Sequence, residues 1–258
     1  MGKTTICAIS DIHGSLIDIP KCDILCICGD ILPTDIQRNF VESIAWLAGP
    51  FQHWLLNAPC KHVVMIWGNH DFIGERLYKY GTKEIPTKKF ISAYGFTGYE
   101  QHEALFQEDE NDKITILCDD YCVVEGLKIY GTSWCPSLEN WAFYGNEKTL
   151  NTQFDKIPSD IDILLTHCPP KFGQQGIVLQ QCWNFCKDFG CQELQNAIRD
   201  KFNESVKPIY VLSGHIHSGN HDWENMGNVK YRNVSVKDEN YYIDYSPLIF
   251  SIDILQNY

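Results

Sequence analysis

No CxxC pair, no run of basic residues and no apolar stretch of membrane-spanning length occurs in this 258-residue chain, and each absence excludes a class of function. Lys and Arg number 21 against 33 Asp and Glu, so the chain is acidic overall. A nucleic-acid polymer is therefore not an expected partner, because nothing here could neutralise a long phosphate backbone. Without the roughly 18 uninterrupted apolar residues of a spanning helix, no membrane association is expected either. The N-terminus "MGKTTICAISDIHG" lacks a basic segment, a long apolar segment and a small-residue cleavage site. Gly2 is followed by Ile6 where a myristoylation site needs Ser or Thr. A cytoplasmic location is the expectation. In that compartment the twelve cysteines read as reduced thiols packed as small hydrophobes. Cys182, Cys186 and Cys191 are spaced loosely enough for zinc, but helix-packing thiols are the expected role.

What the chain does contain is 44% hydrophobic residues, the composition of an ordinary globular protein. A single domain over 1–258 is expected, with a surface insertion at about 81–112, where polar and charged residues surround a short aromatic stretch. Short β-rich runs recur from end to end: "TTICAIS", "DILCICG", "HVVMIWG", "KITILC", "LKIYGTSW", "DIDILLTH", "PIYVLSGH", "KYRNVSV" and "LIFSIDI". Helical periodicity lies between several of them. "TDIQ" predicts a capping box with Thr34 as N-cap, opening a helix with Phe40, Val41, Ile44, Leu47 and Ala48 on one face and ending near Gly49–Pro50. A second helix, in "CQELQNAIRD", aligns Cys191, Leu194 and Ile198. Alternation of strand and helix predicts an α/β fold early in the chain, and the close spacing after residue 113 predicts an antiparallel set.

Five of these strands stop at polar residues that bind metals or move protons. "TTICAIS" runs into Asp11 and His13, "DILCICG" into Asp30, "HVVMIWG" into Asn69, His70 and Asp71, "DIDILLT" into His167, and "YVLSG" into His215 and His217. Sites in α/β sheets form beyond the carboxyl ends of strands, so the five endings are placed to converge. In Asp-x-His and His-x-His, extended alternation would turn both side chains to one side. Carboxylate, imidazole and amide oxygen without thiolate suit Mn²⁺, Fe, Zn²⁺ or Co²⁺. A structural zinc needs four ligands, and the larger number present here predicts two divalent ions.

In their order, "SDIHG", "CGD", "GNHD", "THCPP" and "SGHIH" resemble the motifs of the calcineurin-like metallophosphoesterases. "LKIYGTSW", "DILLTHCPP" and "GCQELQNAI" further resemble the subgroup of metallophosphoesterase-domain phosphodiesterases. The likeness runs from about Ile6 to Ile254. It implies an α/β fold, a two-sheet β-sandwich flanked by helices in four layers α/β/β/α, with a dinuclear metal site at the strand C-terminal ends. It also implies that Asp11, His13, Asp30 and His217 hold one ion, while Asp30, Asn69, His167 and His215 hold the other. Mn²⁺ leads the expected metals, with Mg²⁺ also compatible. His70 is implied as the catalytic group that meets the scissile phosphate, oriented by Asp71. The implied reaction is in-line attack of a metal-bridging hydroxide on a phosphoester.

Asn69 and His70 are also expected to touch substrate. "GTSWCPSLENWAFYGNE" adds Trp134 and Trp141 as candidate substrate-binding rings, with Phe143 and Tyr144 beside them; a nucleobase is one group such rings could stack on. Arg38 and Arg76 are candidate phosphate contacts. His53, His62 and His102 are expected to be ordinary structural residues, and His221 part of a polar loop. The expected function is hydrolysis of small phosphodiesters, cyclic nucleotides among them, with a small phosphodiester or nucleotide as the expected partner. The alternatives are a phosphomonoesterase or protein phosphatase, and a non-catalytic metal- and nucleotide-binding scaffold of the same fold. Oligomeric state leaves no mark on the sequence.

Overall fold

In strand β1, Gly2–Ile9, alternate residues part company: Ile6 and Ala8 enter one buried cluster, Cys7 and Ile9 another. The same division holds in β2, Ile24–Cys28, and β3, His62–Ile66. Strands covered on both faces need near-continuous apolar runs, which is why these segments show no polar alternation. The computed structural model describes residues 2–79, 113–136, 139–180 and 185–254. The segment 81–112, read above as an insertion, lies outside the described residues, as do His102 and Cys182.

Two sheets lie face to face. The first has the order β13-β1-β2-β3-β4, with β4 at Ile114–Ile116 and β13 at Leu248–Ile254. Strands β1 to β4 are parallel, and β13 runs antiparallel to β1. The second sheet comprises β5 (Asp120–Val124), β6 (Leu127–Thr132), β7 (Ile163–Thr166), β10 (Ile209–Ser213), β11 (Glu224–Met226) and β12 (Val229–Asn233) in the order β11-β12-β10-β7-β6-β5. A separate hairpin joins β8, Ile177–Gln180, to β9, Phe185–Asp188. The inner cluster joins Ile6, Ile24, Val64, Ile129, Leu165 and Leu212 from both sheets. The outer cluster joins the opposite strand faces to Ile44, Leu55, Leu150, Phe154, Leu194 and Ile198 of the helices. The α/β/β/α layering expected from the resemblance is therefore present.

The antiparallel expectation beyond residue 113 is corrected. Strands β6, β7, β10 and β12 are mutually parallel, and only the edge strands β5 and β11 oppose their neighbours. Helices occupy the crossovers that parallel pairing requires: Glu147–Phe154 between β6 and β7, and Gln192–Phe202 between β7 and β10. The second is the helix read from "CQELQNAIRD", capped by Cys191, whose sulfur accepts from the Leu194 N–H at 3.5 Å. That cap gives Cys191 a packing role.

Helix α1 is also corrected. It spans Phe40–Trp46 and is capped by Asn39, whose Oδ1 accepts from Val41 N and Glu42 N, while Thr34 sits in a preceding turn. The chain does not stop at Gly49–Pro50. It passes through a π-turn, Leu47–Phe51, into α2, Gln52–Asn57. A π-turn releases the regular ladder at the point where proline lacks its N–H, and buried Leu47, Phe51 and Leu55 hold the continuation in place. Helix α3, Phe72–Lys79, follows β3; the helices at 147–154 and 192–202 are α4 and α5. Among the described residues no helix is long and apolar enough to cross a membrane.

Candidate metal centre

Because β1, β2, β3, β7 and β10 share one direction, their C-terminal ends meet at one edge of the sandwich. The strand ends pack closely there: His167 Nδ1, from the second sheet, lies 2.8 Å from Cys28 O of the first, and Ser10 Oγ donates to the same carbonyl at 2.9 Å from within the first sheet. Gly214 and Gly68 permit the close approach. A methyl group on Gly214 would overlap Ser10 and the Asp11 carboxylate, and one on Gly68 would overlap Asp30. Four of the expected ligands adopt left-handed backbone: Asp11 (φ 57°), His13 (φ 41°), Asp30 (φ 53°) and His215 (φ 69°). Asp-x-His thus converges through turns and not through the extended alternation read from sequence.

The donor atoms form overlapping groups. Asp11, His13 and His217 bring ligand atoms within 4.8 Å of one another, as do Asp11, Asp30 and His167, and also His13, Asp30 and His70. Asp30 joins the groups: its Oδ2 lies 3.3 Å from His167 Nε2 and 3.7 Å from His13 Nε2. Asn69 Oδ1 is 2.9 Å from His167 Nε2, and the His215 ring centroid is 5.1 Å from that of His167. The seven expected ligands are brought together.

Their hydrogen bonds fit the binding of a cation. Both ring nitrogens of His13 are buried without a partner, although the residue is only 6% exposed. An imidazole in that condition costs free energy unless something binds it. His167 Nδ1 faces the Cys28 carbonyl and His217 Nδ1 faces that of Asp238, each at 2.8 Å, which fixes both rings with Nε2 toward the carboxylates. His167 Nε2 faces Asp30 and Asn69 oxygens; His217 Nε2 lies 3.3 Å from Asp11 Oδ1. A proton there occupies the position a metal would take. Burial opposes charging His167, but Asp30 outweighs it and pushes the ring up to about 10. Asp11 does the same for His217, to about 9. Burial lowers His13 and His215 to about 4, leaving both neutral and able to ligate. Burial also works against ionising Asp11 and Asp30, yet the surrounding histidines hold both carboxyls below the usual range.

His70 stands at the mouth, its Nδ1 unpartnered and its backbone N–H bonded to Asp30 Oδ1 at 2.8 Å. Its ring packs on His13 at 4.7 Å and on Trp141 at 4.4 Å. Asp71, expected to orient His70, does not reach it. Its buried carboxylate turns back to accept from Ile31 N, Leu32 N and Gly68 N at 3.1, 3.0 and 2.7 Å. Asp71 is thus a brace between the loops carrying Asp30 and Asn69. Burial and the neighbouring Asp30 charge raise it to about 7.

The two tryptophans separate. Trp134 is 8% exposed, donates its indole N–H to Asp119 at 2.9 Å and packs on Tyr78 and Phe143, so it belongs to the core and the substrate-binding expectation for it is corrected. Trp141 faces the site. Arg38 lies over the Phe72 and Trp141 rings and donates to Asn140 O, and Arg76 lies over Phe40. His53 bonds Asn57 and His62 pairs with Glu125, as ordinary surface groups do. His221 stacks on Tyr245 and bonds the His217 carbonyl.

Sequence reasoning passed over three neighbours of the site. Ser235 Oγ donates to Asp11 Oδ2 at 2.7 Å. The Cys135 sulfur lies within 4.8 Å of ligand atoms of His167 and His215, its thiol kept neutral by burial. Tyr241 packs its ring on His13 at 4.8 Å and on His217 at 5.3 Å. An exposed aromatic cluster, "NYYIDY", follows the last histidine motif and is the one signal that pointed there.

Overlapping N/O donor groups at the strand ends of a two-sheet α/β sandwich are the arrangement of metal-dependent phosphoesterases. Residues 4–219 match the calcineurin-like phosphoesterase family model, and the chain belongs to that family. It is 27% identical over 249 residues to UPF0046 protein T07D4.2 of Caenorhabditis elegans, a match that covers 94% of this chain but 58% of the worm protein. Metallophosphoesterase domain-containing protein 1 of Homo sapiens is 27% identical over 268 residues, covering 99% of this chain and 73% of the human protein. The solved structure of phosphopantetheinyl hydrolase (PptH) from Mycobacterium tuberculosis superposes with a TM-score of 0.49 at 12% identity, over 92% of this chain and 90% of that one.

Proposed function

We propose that this chain is a phosphodiesterase for small phosphodiesters, cyclic nucleotides among them. Two divalent cations, when bound, supply Lewis acidity and a water activated at neutral pH. Asp11, His13, Asp30 and His217 would hold one, and Asp30, Asn69, His167 and His215 the other. The carboxylate, imidazole and amide donors suit Mn²⁺. His70, neutral through burial, stands with one ring nitrogen free to donate to a phosphoryl oxygen or to the leaving group. Asn69 is held by Ala142, whose N–H donates to the Asn69 carbonyl at 3.1 Å, so the aromatic loop and the amide ligand move together.

The observation carrying the diester reading is Trp141 against His70: an apolar ring beside the group that meets phosphate suits an ester carbon group better than a solvated dianion. Net charge −12 supports a small substrate over a nucleic-acid polymer. The many free cysteines, Cys26 and Cys28 among them, support a reducing cytoplasmic setting. The test is kcat/KM of the Mn²⁺-loaded protein on bis-p-nitrophenyl phosphate against p-nitrophenyl phosphate. A ratio well above one is expected, and a ratio well below one would transfer the protein to the monoesterases.

A further inference from the structure

The rings around the site form a row. Successive centroids from Tyr241 to His13, His13 to His70 and His70 to Trp141 are 4.8, 4.7 and 4.4 Å apart, with Tyr241 to His70 at 6.5 Å. The two histidines that face the carboxylates lie in the middle, and an aromatic residue closes each end. Tyr241 is 44% exposed, so its position is not dictated by a core. Its loop places it there. Tyr241 sits at φ 65°, a left-handed conformation that a bulky residue adopts at a cost and that collects at functional sites. Asp238 holds the turn: its carboxylate accepts from Asn240 N and Tyr242 N, and its carbonyl accepts from Tyr241 N at 3.0 Å. The same carbonyl bonds His217 Nδ1. One residue thus fixes a candidate ligand and aims the phenol ring across it.

A phosphodiester has two ester arms, and a monoester has one. We infer that Tyr241 is a specificity-determining residue that forms the wall for the second arm, Trp141 forming the wall for the first, so that among open-chain diesters the site favours those carrying a planar aromatic group on each arm. The inference rests on the phosphodiesterase reading above. It assigns discrimination between arms to the loop after β12, a segment that contributes no metal ligand.

The test compares native protein, Tyr241→Ala and Tyr241→Phe, each loaded with Mn²⁺ and checked for metal content. The substrates are bis-p-nitrophenyl phosphate and methyl p-nitrophenyl phosphate, which keeps one aromatic arm. Binding of diphenyl phosphate is measured separately by calorimetry. In Tyr241→Ala the diaryl-to-methyl-aryl ratio of kcat/KM falls roughly 3- to 10-fold, the scale of one aromatic contact, and diphenyl phosphate binds more weakly by a similar factor. Tyr241→Phe keeps the native ratio, since the ring and not the hydroxyl forms the wall. An unchanged ratio in Tyr241→Ala, or equal loss on both substrates, overturns the inference alone. A native protein that is metal-loaded but hydrolyses neither diester and does not bind diphenyl phosphate overturns the phosphodiesterase reading, and this inference with it.

Discussion

Loading metal into this site must expel protons, and the structure says how many. In the metal-free protein His167 and His217 each hold Nε2 against a carboxylate, with ring values near 10 and 9. At pH 8 His167 is almost wholly protonated and His217 about nine-tenths so. His13 and His215 are neutral, both near 4, and Asp11 and Asp30 are already ionised. Asp71, at about 7, is mostly ionised at that pH. Filling both centres therefore releases about two protons per chain, one from each histidine.

Apparent affinity at each centre should then rise by about tenfold per pH unit up to the value of its histidine, about 1.4 kcal/mol per unit. The stability signs agree. The raised histidines stabilise the metal-free fold fully below their unfolded value of 6.5, and that contribution is lost as pH rises through 9 and 10. The depressed Asp11 and Asp30 contribute above 3.8 and lose their contribution as pH falls. The depressed His13 and His215 lose their contribution as pH falls below 6.5 and outweigh the single raised Asp71, so the metal-free protein is most stable near about pH 6.5, whereas metal binding strengthens above it. Calorimetric titration with Mn²⁺ in buffers of different ionisation enthalpy counts the protons directly. Release below about half a proton at pH 8, or affinity flat between pH 6 and 9, refutes the assignment of protons to the ligand positions.

Four further outcomes are expected. Asp30→Asn loses both metal and activity, because the amide gives up the charge that joins the two groups; two ions retained in that variant, by elemental analysis, would contradict the bridge. His70→Ala keeps two ions while kcat falls roughly 10²- to 10⁴-fold, the scale of general acid–base catalysis, and a native kcat removes His70 from the chemistry. Gly214→Ala drives a methyl group into Ser10 and Asp11, so metal affinity by chelator competition falls on the order of tenfold or more, and unchanged affinity would show that the sheets can part there. Asp71→Ala strands three buried N–H groups while relieving one buried charge, a net loss of about 2–3 kcal/mol that lowers the melting temperature by roughly 4–12 °C. Unchanged melting with reduced kcat would return Asp71 to the role of orienting His70.

The five strand ends were legible because each is local: an apolar run and the polar group that ends it are neighbours in sequence. What escaped depends on turns. Asp71 follows His70 directly and reads as its partner, but the bend Gly68–Asp71, closed by Asp71 N to Gly68 O at 3.1 Å, swings the carboxylate back toward Ile31. Trp134 and Trp141 share one aromatic stretch, yet Asp119, distant in sequence, draws the first indole inward. The parallel order of the second sheet was hidden because α4 buries only Leu150 and Phe154, too few to show a helical period. Tyr241 stands 24 positions beyond His217, and only the fold of the Asp238 turn joins them.

The candidate ligands are held in place by their own loops. Asp11, His13, Asp30 and His215 each give up on the order of 1–2 kcal/mol to sit in left-handed backbone, a strain concentrated where the strands end. Backbone donors offset it from behind the carboxylates. His215 N bonds Asp11 Oδ2 at 2.9 Å, His70 N bonds Asp30 Oδ1 at 2.8 Å, and the Ser235 side-chain hydroxyl adds a second support to Asp11. Each charged oxygen so held makes bonds of the stronger, charge-assisted kind. The loops consequently lock one another: the turn carrying His215 is tied to the carboxylate at the end of β1, and the turn carrying His70 to the carboxylate at the end of β2. With its carboxylates so held, the site is expected to release about two protons when it binds ions, and proton release is the signature of that binding.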